Sequence, residues 1–242
     1  MGALRGAVAM VVAVAGMVAS ATVDRADAGG PDDPSLLLFS GTDLWRYGAF
    51  LYGGVLWAPD GLDNNGFIGK VLLDGGEYSY VSGDLNETID GTKLSAAVLP
   101  GWRFIRDGLT VSLFTGPVVQ DYRLTPYDPG SRLHGLYAGA EFASDIWYQP
   151  NATTMAALNG SITSIGPTGY VRATFAFRFL TPAFVGPEIA EIWCGDFQQM
   201  EFGAQITGPR INTVEWSMGS GFALTSDQRY GPYLRLGFDA RY

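Results

Sequence analysis

Alternation with a period of two residues, recurring along the chain, is the feature that most restricts how this sequence can fold. Tyr170 to Leu180 reads Tyr-Val-Arg-Ala-Thr-Phe-Ala-Phe-Arg-Phe-Leu, so Val171, Ala173, Phe175, Phe177 and Phe179 share one face and Tyr170, Arg172, Thr174 and Arg178 the other. Successive side chains point to opposite sides only in a β-strand. The last segment repeats the pattern, with Pro232, Leu234, Leu236, Phe238, Ala240 and Tyr242 opposed by Tyr233, Arg235, Asp239 and Arg241. Gln199, Glu201, Gln205 and Thr207 alternate in the same way with Met200, Phe202, Ala204 and Ile206. A content of 33 glycines with 47% apolar and 13% aromatic residues fits many short strands and tight turns. The expected fold is all-β, in one domain.

In a soluble sandwich such apolar faces meet each other, whereas in a transmembrane barrel they face lipid and the polar faces line the lumen. Three features favour the barrel. The alternation ends on the aromatic Tyr242, which looks like the C-terminal signal of bacterial outer-membrane barrels. Aromatic residues gather at strand ends (Trp57, Trp102, Trp147, Tyr148, Trp193), and Arg and Glu occupy the otherwise inward faces.

Strands are predicted near residues 36–43, 46–57, 66–81, 88–104, 109–122, 132–148, 153–164, 169–180, 183–193, 198–207, 213–224 and 230–242. The expectation is a single antiparallel transmembrane β-barrel of about 12 strands, with 10 as the alternative. Arg106-Asp107-Gly108 and Thr181-Pro182 read as tight turns, and Ser82 to Glu87, Thr125 to Ser131 and Thr225 to Arg229 as longer polar loops. If the tight turns all lie at one end, the strand count is even only when 36–43 is a real strand. The stretch Pro59 to Asn65 is then long for the short-turn end.

The N-terminus reads as an address. Arg5 precedes an apolar run from Ala7 to Val18, too short to span a bilayer as a helix and suited to a signal peptide. Ala19-Ser20-Ala21 and Ala26-Asp27-Ala28 are candidate cleavage sites. Residues 1–28 are therefore assigned to the signal, with cleavage after 21 as the alternative, and 29–242 to the barrel. The location expected is the outer membrane of a Gram-negative bacterium, with outer-membrane lipid as surroundings.

Twenty-four acidic against 15 basic side chains, net charge -9, exclude a nucleic-acid partner. Cys194 is the only cysteine and His134 the only histidine. Outer-membrane phospholipases carry a His-x-Ser pair, but His134 is followed by Gly135-Leu136, which argues against a lipid-modifying enzyme. Asp60, Asp63, Asn64 and Asn65 lack the spacing of a known calcium loop. Glu188 and Glu191, three apart, fall on opposite faces of a strand and cannot act as a facing acid/base pair. No catalytic residue, metal site or cofactor is predicted. The lumen-facing candidates are Tyr170, Arg172, Arg178, Glu201, Tyr233, Arg235, Asp239 and Arg241, together with Glu215. They form either an ion-pair network that fills the interior or the lining of a polar pore.

Short blocks in a fixed order carry a family resemblance. They are Phe39-Ser40-Gly41-Thr42-Asp43, Gly53-Gly54-Val55-Leu56-Trp57, Leu62-Asp63 with Gly66-Phe67, and Leu99-Pro100-Gly101-Trp102-Arg103 followed by Arg106-Asp107-Gly108. Gln120-Asp121 with Asp128-Pro129, Asp145-Ile146-Trp147-Tyr148, Gly186-Pro187-Glu188 and Asp196-Phe197-Gln198-Gln199 follow. From about Phe39 to the C-terminus the chain resembles the BcsS family of cellulose-biosynthesis proteins of alphaproteobacteria. The resemblance implies a non-enzymatic outer-membrane barrel tied to cellulose or exopolysaccharide secretion, as a pore or a docking accessory. Cellulose-synthase secretion components or β-glucan are the implied partners. A general porin-like channel and a purely structural barrel remain the alternatives.

Overall fold

The computed structural model describes residues 34–242 apart from 167, 196 and 212; the signal segment assigned to 1–28 lies outside the described residues. Twelve strands follow in order: β1 (Leu36–Trp45), β2 (Gly48–Trp57), β3 (Gly66–Val81), β4 (Thr88–Arg106), β5 (Leu109–Thr125), β6 (Gly135–Tyr148), β7 (Thr154–Thr163), β8 (Thr168–Leu180), β9 (Ala183–Cys194), β10 (Phe197–Ile211), β11 (Val214–Thr225) and β12 (Tyr230–Arg241). Each pairs antiparallel with its sequence neighbours, and β1 pairs with β12, which closes the barrel. Closure gives every strand a partner on both sides.

The segment predicted at 36–43 is a full strand, hydrogen-bonded on both sides, and it makes the count 12 and even. It brings the first and last described residues together: the Ser35 and Leu36 amides donate to the Tyr242 carbonyl at 2.8 and 2.9 Å, and the Tyr242 amide donates to the Leu36 carbonyl at 2.8 Å. This is the terminal end of the barrel. The opposite, loop end carries the longest connection, the nine residues of β5–β6, together with β3–β4 and β11–β12.

The residues after β2, too long for a tight turn, have a structural task. Ala58 and Leu62 are buried, their amides donate to Ser35 and Pro34 carbonyls at 2.8 Å, and Arg103 Nη1 donates to the Leu62 carbonyl at 2.5 Å. The segment folds under the terminal mouth instead of simply reversing the chain. At the loop end the wall is uneven, because β6 continues from Glu141 up to Gly135 beyond the last residue pair it shares with β7.

The outer face inverts the usual distribution of apolar side chains. Val71, Leu73, Val98, Phe142, Ile162, Phe177, Phe202 and Phe222 all stand exposed. Trp57, Phe67, Trp102 and Tyr148 are exposed on the terminal half, with Trp57 edge-on to Phe67. Trp147 departs from the expected girdle. Neighbours in a strand face opposite ways, so with Tyr148 outward Trp147 turns inward, against the Met155, Ala176 and Phe184 cluster.

Candidate functional site

The barrel interior collects the chain's polar and aromatic side chains, and strand parity places each. The cross-strand pairs Trp45 with Tyr233, Asp43 with Arg235, and Asn159 with Arg172 all lie on the inner face.

Near the loop end the interior is closed by rings. Trp45, Tyr78, Tyr80, Tyr122, Phe197, Ile165 and Cys194 are all buried. Phe197 packs at 5.8 Å from Trp45 and 5.2 Å from Tyr78, and Tyr80 stacks on Tyr78 at 6.2 Å between centroids. The β5–β6 connection lies over this layer. Its Leu133 is buried against Gly166 and Gly195, and its Asp128 accepts from the Tyr80 hydroxyl at 2.8 Å and the Gly130 amide at 3.0 Å. Burial alone would raise the Asp128 pKa, but the hydrogen bonds from Tyr80, Gly130 and Ser82 outweigh it and hold the carboxyl below its ordinary value. Asp227, in the β11–β12 connection, is likewise lowered: burial opposes, but Thr225, the Val81 amide and Arg229 prevail. Arg229 places its guanidinium 4.2 Å from the Tyr47 ring centroid.

Below the rings lies a belt of paired charges. Arg172 Nη2 is 3.1 Å from Asp43 Oδ1 and 3.1 Å from Glu201 Oε2, and Gln199 Nε2 donates to Glu201 Oε1 at 2.7 Å. Glu188 accepts from the Tyr233 hydroxyl at 2.9 Å and from Arg235 Nη2 at 2.8 Å. β1 and β8 stand nearly opposite in the twelve-strand ring. A circular barrel of this strand number separates opposite backbones by roughly 23 Å, from a strand spacing of ~4.8 Å and a tilt of ~40°. An extended Arg, an Asp and the hydrogen bond between them span at most roughly 14 Å. The Asp43–Arg172 bridge therefore requires a flattened cross-section, with the walls drawn together.

Glycines make room for these groups. A Cβ on Gly219 would lie 2.0 Å from Glu188 Oε1, and one on Gly41 would lie 2.4 Å from the Tyr52 hydroxyl.

Toward the terminal end the interior is unevenly packed, with Ile68, Leu99, Phe114, Met155, Ala176 and Phe184 buried and other inward side chains partly accessible. Lys70 pairs with Asp145, which also accepts from Asn159 Nδ2 at 3.2 Å, and the Lys70 ammonium sits 4.0 Å from the Phe114 ring centroid. Phe39, Tyr52, Asp145, Asn159, Ser161, Tyr170, Thr174 and Ser217 are partly accessible, and Asp239 and Arg241 are exposed at the mouth.

Of the residues singled out from the sequence, Arg172 and Glu201 meet in the belt, and Tyr233 and Arg235 meet on Glu188. Tyr170 is on the inner wall beside them. Arg241 lies at the mouth, 3.1 Å from Asp63, and Asp239 faces Glu215 across the strands. Arg178 lies apart at the terminal rim, bonded to the Ala152 carbonyl and 4.6 Å from the Phe184 ring centroid. Asp43, Tyr52, Lys70, Asp145 and Glu188 went unnamed as lumen residues. The parity of β1, β2, β3, β6 and β9 would have placed each of them inward. Glu188 and Glu191 do face opposite sides, Glu191 outward with Gln198 at 2.6 Å.

In this interior Asp43, Asp145, Glu188 and Glu201 are each paired with an Arg or Lys. His134 stands outside it, exposed on the β5–β6 connection and edge-on to Tyr127 at 5.6 Å. Among the described residues no three His, Cys, Asp or Glu side chains are placed to hold a metal ion.

Among solved structures the chain is similar to KdgM porin, at 8% identity over 85% of this chain and 99% of that one, TM-score 0.46. It is also similar to the translocator domain of autotransporter NalP from Neisseria meningitidis, at 10% identity over 98% and 96%, TM-score 0.45. The β domain of the Bordetella autotransporter BrkA gives 14% identity over 87% and 100%, TM-score 0.44. No curated protein matches. The sequence itself matches the family of the cellulose biosynthesis protein BcsS over residues 37–242, nearly the whole described chain. The chain belongs to that BcsS family.

Proposed function

We propose that this protein is a non-enzymatic outer-membrane barrel that serves cellulose secretion as a closed accessory, a docking body for secretion components and not a channel. The exposed band of Val, Leu, Ile and Phe favours hydrocarbon surroundings, since water would solvate it poorly. The terminal end, where the first described residues meet Tyr242 and the two-residue turns β4–β5 and β8–β9 lie, then faces the periplasm, and the β5–β6 connection faces outward.

One observation carries the closed reading: the Asp43–Arg172 bridge crosses the lumen beneath a layer of buried rings. A glucan passing through would have to break that bridge and displace Trp45, Tyr78 and Phe197. Breaking a buried ion pair costs several kcal/mol. An enzymatic role is disfavoured because Asp43, Asp145, Glu188 and Glu201 are tied to cations and the single histidine lies outside.

The test is single-channel recording of the refolded mature chain in a planar bilayer, with and without soluble gluco-oligosaccharides. Silence is expected under both conditions. Steady conductance blocked by oligosaccharide would replace this reading with a glucan pore, and conductance indifferent to sugar with a general porin.

A further inference from the structure

Every strand of the barrel has two neighbours, but neighbours of unequal height leave part of an edge bare. At the loop end this happens on β3 and on β6. β3 rises past its last pair with β2, Tyr78 with Gly48, and the groups left over there are taken. The Ser79 amide donates to the Tyr47 carbonyl at 2.9 Å, the Val81 amide donates to Asp227 Oδ2 at 3.2 Å, and Arg229 Nη2 donates to the Ser79 carbonyl. That raised edge is capped.

The raised edge of β6 is not. β6 pairs with β5 from Gly135 to Tyr148 but with β7 only from Glu141 onward. The Ala140 amide donates to Ser164 Oγ at 2.9 Å and the Ala140 carbonyl accepts from the Ser164 amide at 2.8 Å, so both groups of Ala140 point away from β5. Residues two apart in a strand direct their main-chain groups alike, so Ala138 and Leu136 point the same way. Their two amides and two carbonyls meet no hydrogen-bond partner among the described residues. Leu136 is 74% exposed, and Ala138 and Ala140 are exposed beside it.

Nothing on this segment discourages pairing. Natural edges are blunted by a charged side chain, a proline, a bulge or a covering loop. Gly135-Leu136-Tyr137-Ala138-Gly139-Ala140 holds no charge and no proline, and its register with β5 is regular. We infer that the bare edge of β6 is a docking site for an extended polypeptide segment of a partner protein, which adds as an antiparallel strand in line with β7. This deepens the reading of the barrel as a docking body, and it rests on that reading for the outward placement of the loop end.

The spacing of the bare groups selects the occupant. A donor and an acceptor on one residue, repeated two residues on, are met rung for rung by another main chain. A second copy of this chain does not fit. β6 runs from loop end to terminal end in every copy inserted the same way, so two such edges would run parallel and cross at about 80°, twice the strand tilt of ~40°. The height also suits a partner from outside. Leu136 stands twelve residues from Tyr148 along β6. At ~3.3 Å per residue and that tilt it lies roughly 30 Å above Tyr148, past an apolar band of about 25 Å. On its outer side the incoming strand meets Leu136, Ala138 and Ile162, which favours Val and Thr there.

The experiment is a titration of the refolded mature barrel in detergent, followed by amide NMR. The probe is an acetylated peptide of about seven alternating Val and Thr residues, with a C-terminal Lys amide for solubility. The Leu136 and Ala138 amides should shift and exchange more slowly with solvent, while those of Tyr137 and Gly139, which point to β5, stay unchanged. The same peptide N-methylated at two adjacent central residues keeps every side chain but blocks both of its edges, and should bind at least about tenfold more weakly. Ala138→Pro removes the N–H on the bare side and leaves the β5 ladder whole. It should lose the peptide by a similar factor and keep the wild-type urea midpoint. Unmoved Leu136 and Ala138 amides up to about 5 mM peptide, a free energy near the weak limit, would overturn the proposal and mark the edge as solvated only. Equal affinity of the plain and methylated peptides would overturn it as well. Conductance of the same samples reports separately on closure: a conducting barrel that binds the peptide defeats the closed reading alone, and a silent barrel that does not bind it defeats the docking edge alone.

Discussion

Asp43 on β1 and Arg172 on β8 stand 3.1 Å apart across the lumen although 129 residues separate them in sequence, and the same guanidinium nitrogen lies 3.1 Å from Glu201 on β10. Three walls of the barrel are thereby tied at one cation. Arg172→Ala leaves two carboxylates facing each other in a poorly solvated interior, and breaking such a site costs about 3–5 kcal/mol. The expected result is a clear drop in the urea midpoint of the refolded barrel, larger than for Asp43→Asn, which keeps the Glu201 contact. Equal midpoints for Arg172→Ala and wild type would mean that the bridge does not hold the walls.

That bridge also marks where reading the sequence stops. Alternation put Arg172 and Glu201 inward, since face is a property of one strand and needs no partner. Which residue Arg172 meets depends on register around half the barrel and on its flattening, and no local pattern encodes either. The strand at 36–43 was legible from Leu36 to Asp43, but its pairing with β12 is a long-range property. Pro59 to Asn65 looked misplaced because a connection was expected where the chain builds a floor, with Leu62 buried at the mouth. Trp147 was grouped with outward aromatics by position alone, against the parity of its own strand.

Gly219 is the seat for Glu188, whose carboxylate is fixed by Tyr233 and Arg235. A methyl group there would meet Oε1 at 2.0 Å, so the carboxylate must leave at least one of its partners. Gly219→Ala should destabilise by about 1–3 kcal/mol, the usual range for overpacking. Ala in place of the outward Ser220, on the same strand, gives up only the hydroxyl's 3.0 Å hydrogen bond to the Tyr233 carbonyl and should cost at most about 1 kcal/mol. Heat-modified mobility on semi-native gels compares the two directly. A Gly219→Ala barrel as heat-resistant as Ser220→Ala would show that Glu188 shifts freely.

At the loop end, acid should release the β5–β6 connection. The Asp128 carboxyl is held below its ordinary value, so its ionised form contributes stability in full above the unfolded pKa of about 3.9 and loses it as pH falls through the lower folded value. The Gly130 amide, which donates to Asp128 Oδ1, reports the titration through its NMR shift. In Tyr80→Phe the main hydrogen bond that lowers the pKa is gone, so the titration midpoint should move up in pH. A midpoint that stays or falls in that variant would contradict the assignment of Tyr80 as the principal donor.

Tyr242 offers a separation of assembly from stability. Its backbone accepts from Ser35 and Leu36 and donates to Leu36, closing the β1–β12 seam, while its side chain stands half exposed. Deleting Tyr242 removes three backbone hydrogen bonds at about 0.5–1.5 kcal/mol each, so the refolded barrel should unfold at lower urea. Tyr242→Ala keeps those bonds and loses only the terminal ring, so its refolded midpoint should match wild type. If the ring acts as an insertion signal, the same Ala variant should nevertheless show less folded barrel in cell envelopes. Equal envelope yield for Tyr242→Ala and wild type would leave Tyr242 a seam residue, its contribution carried by the main chain.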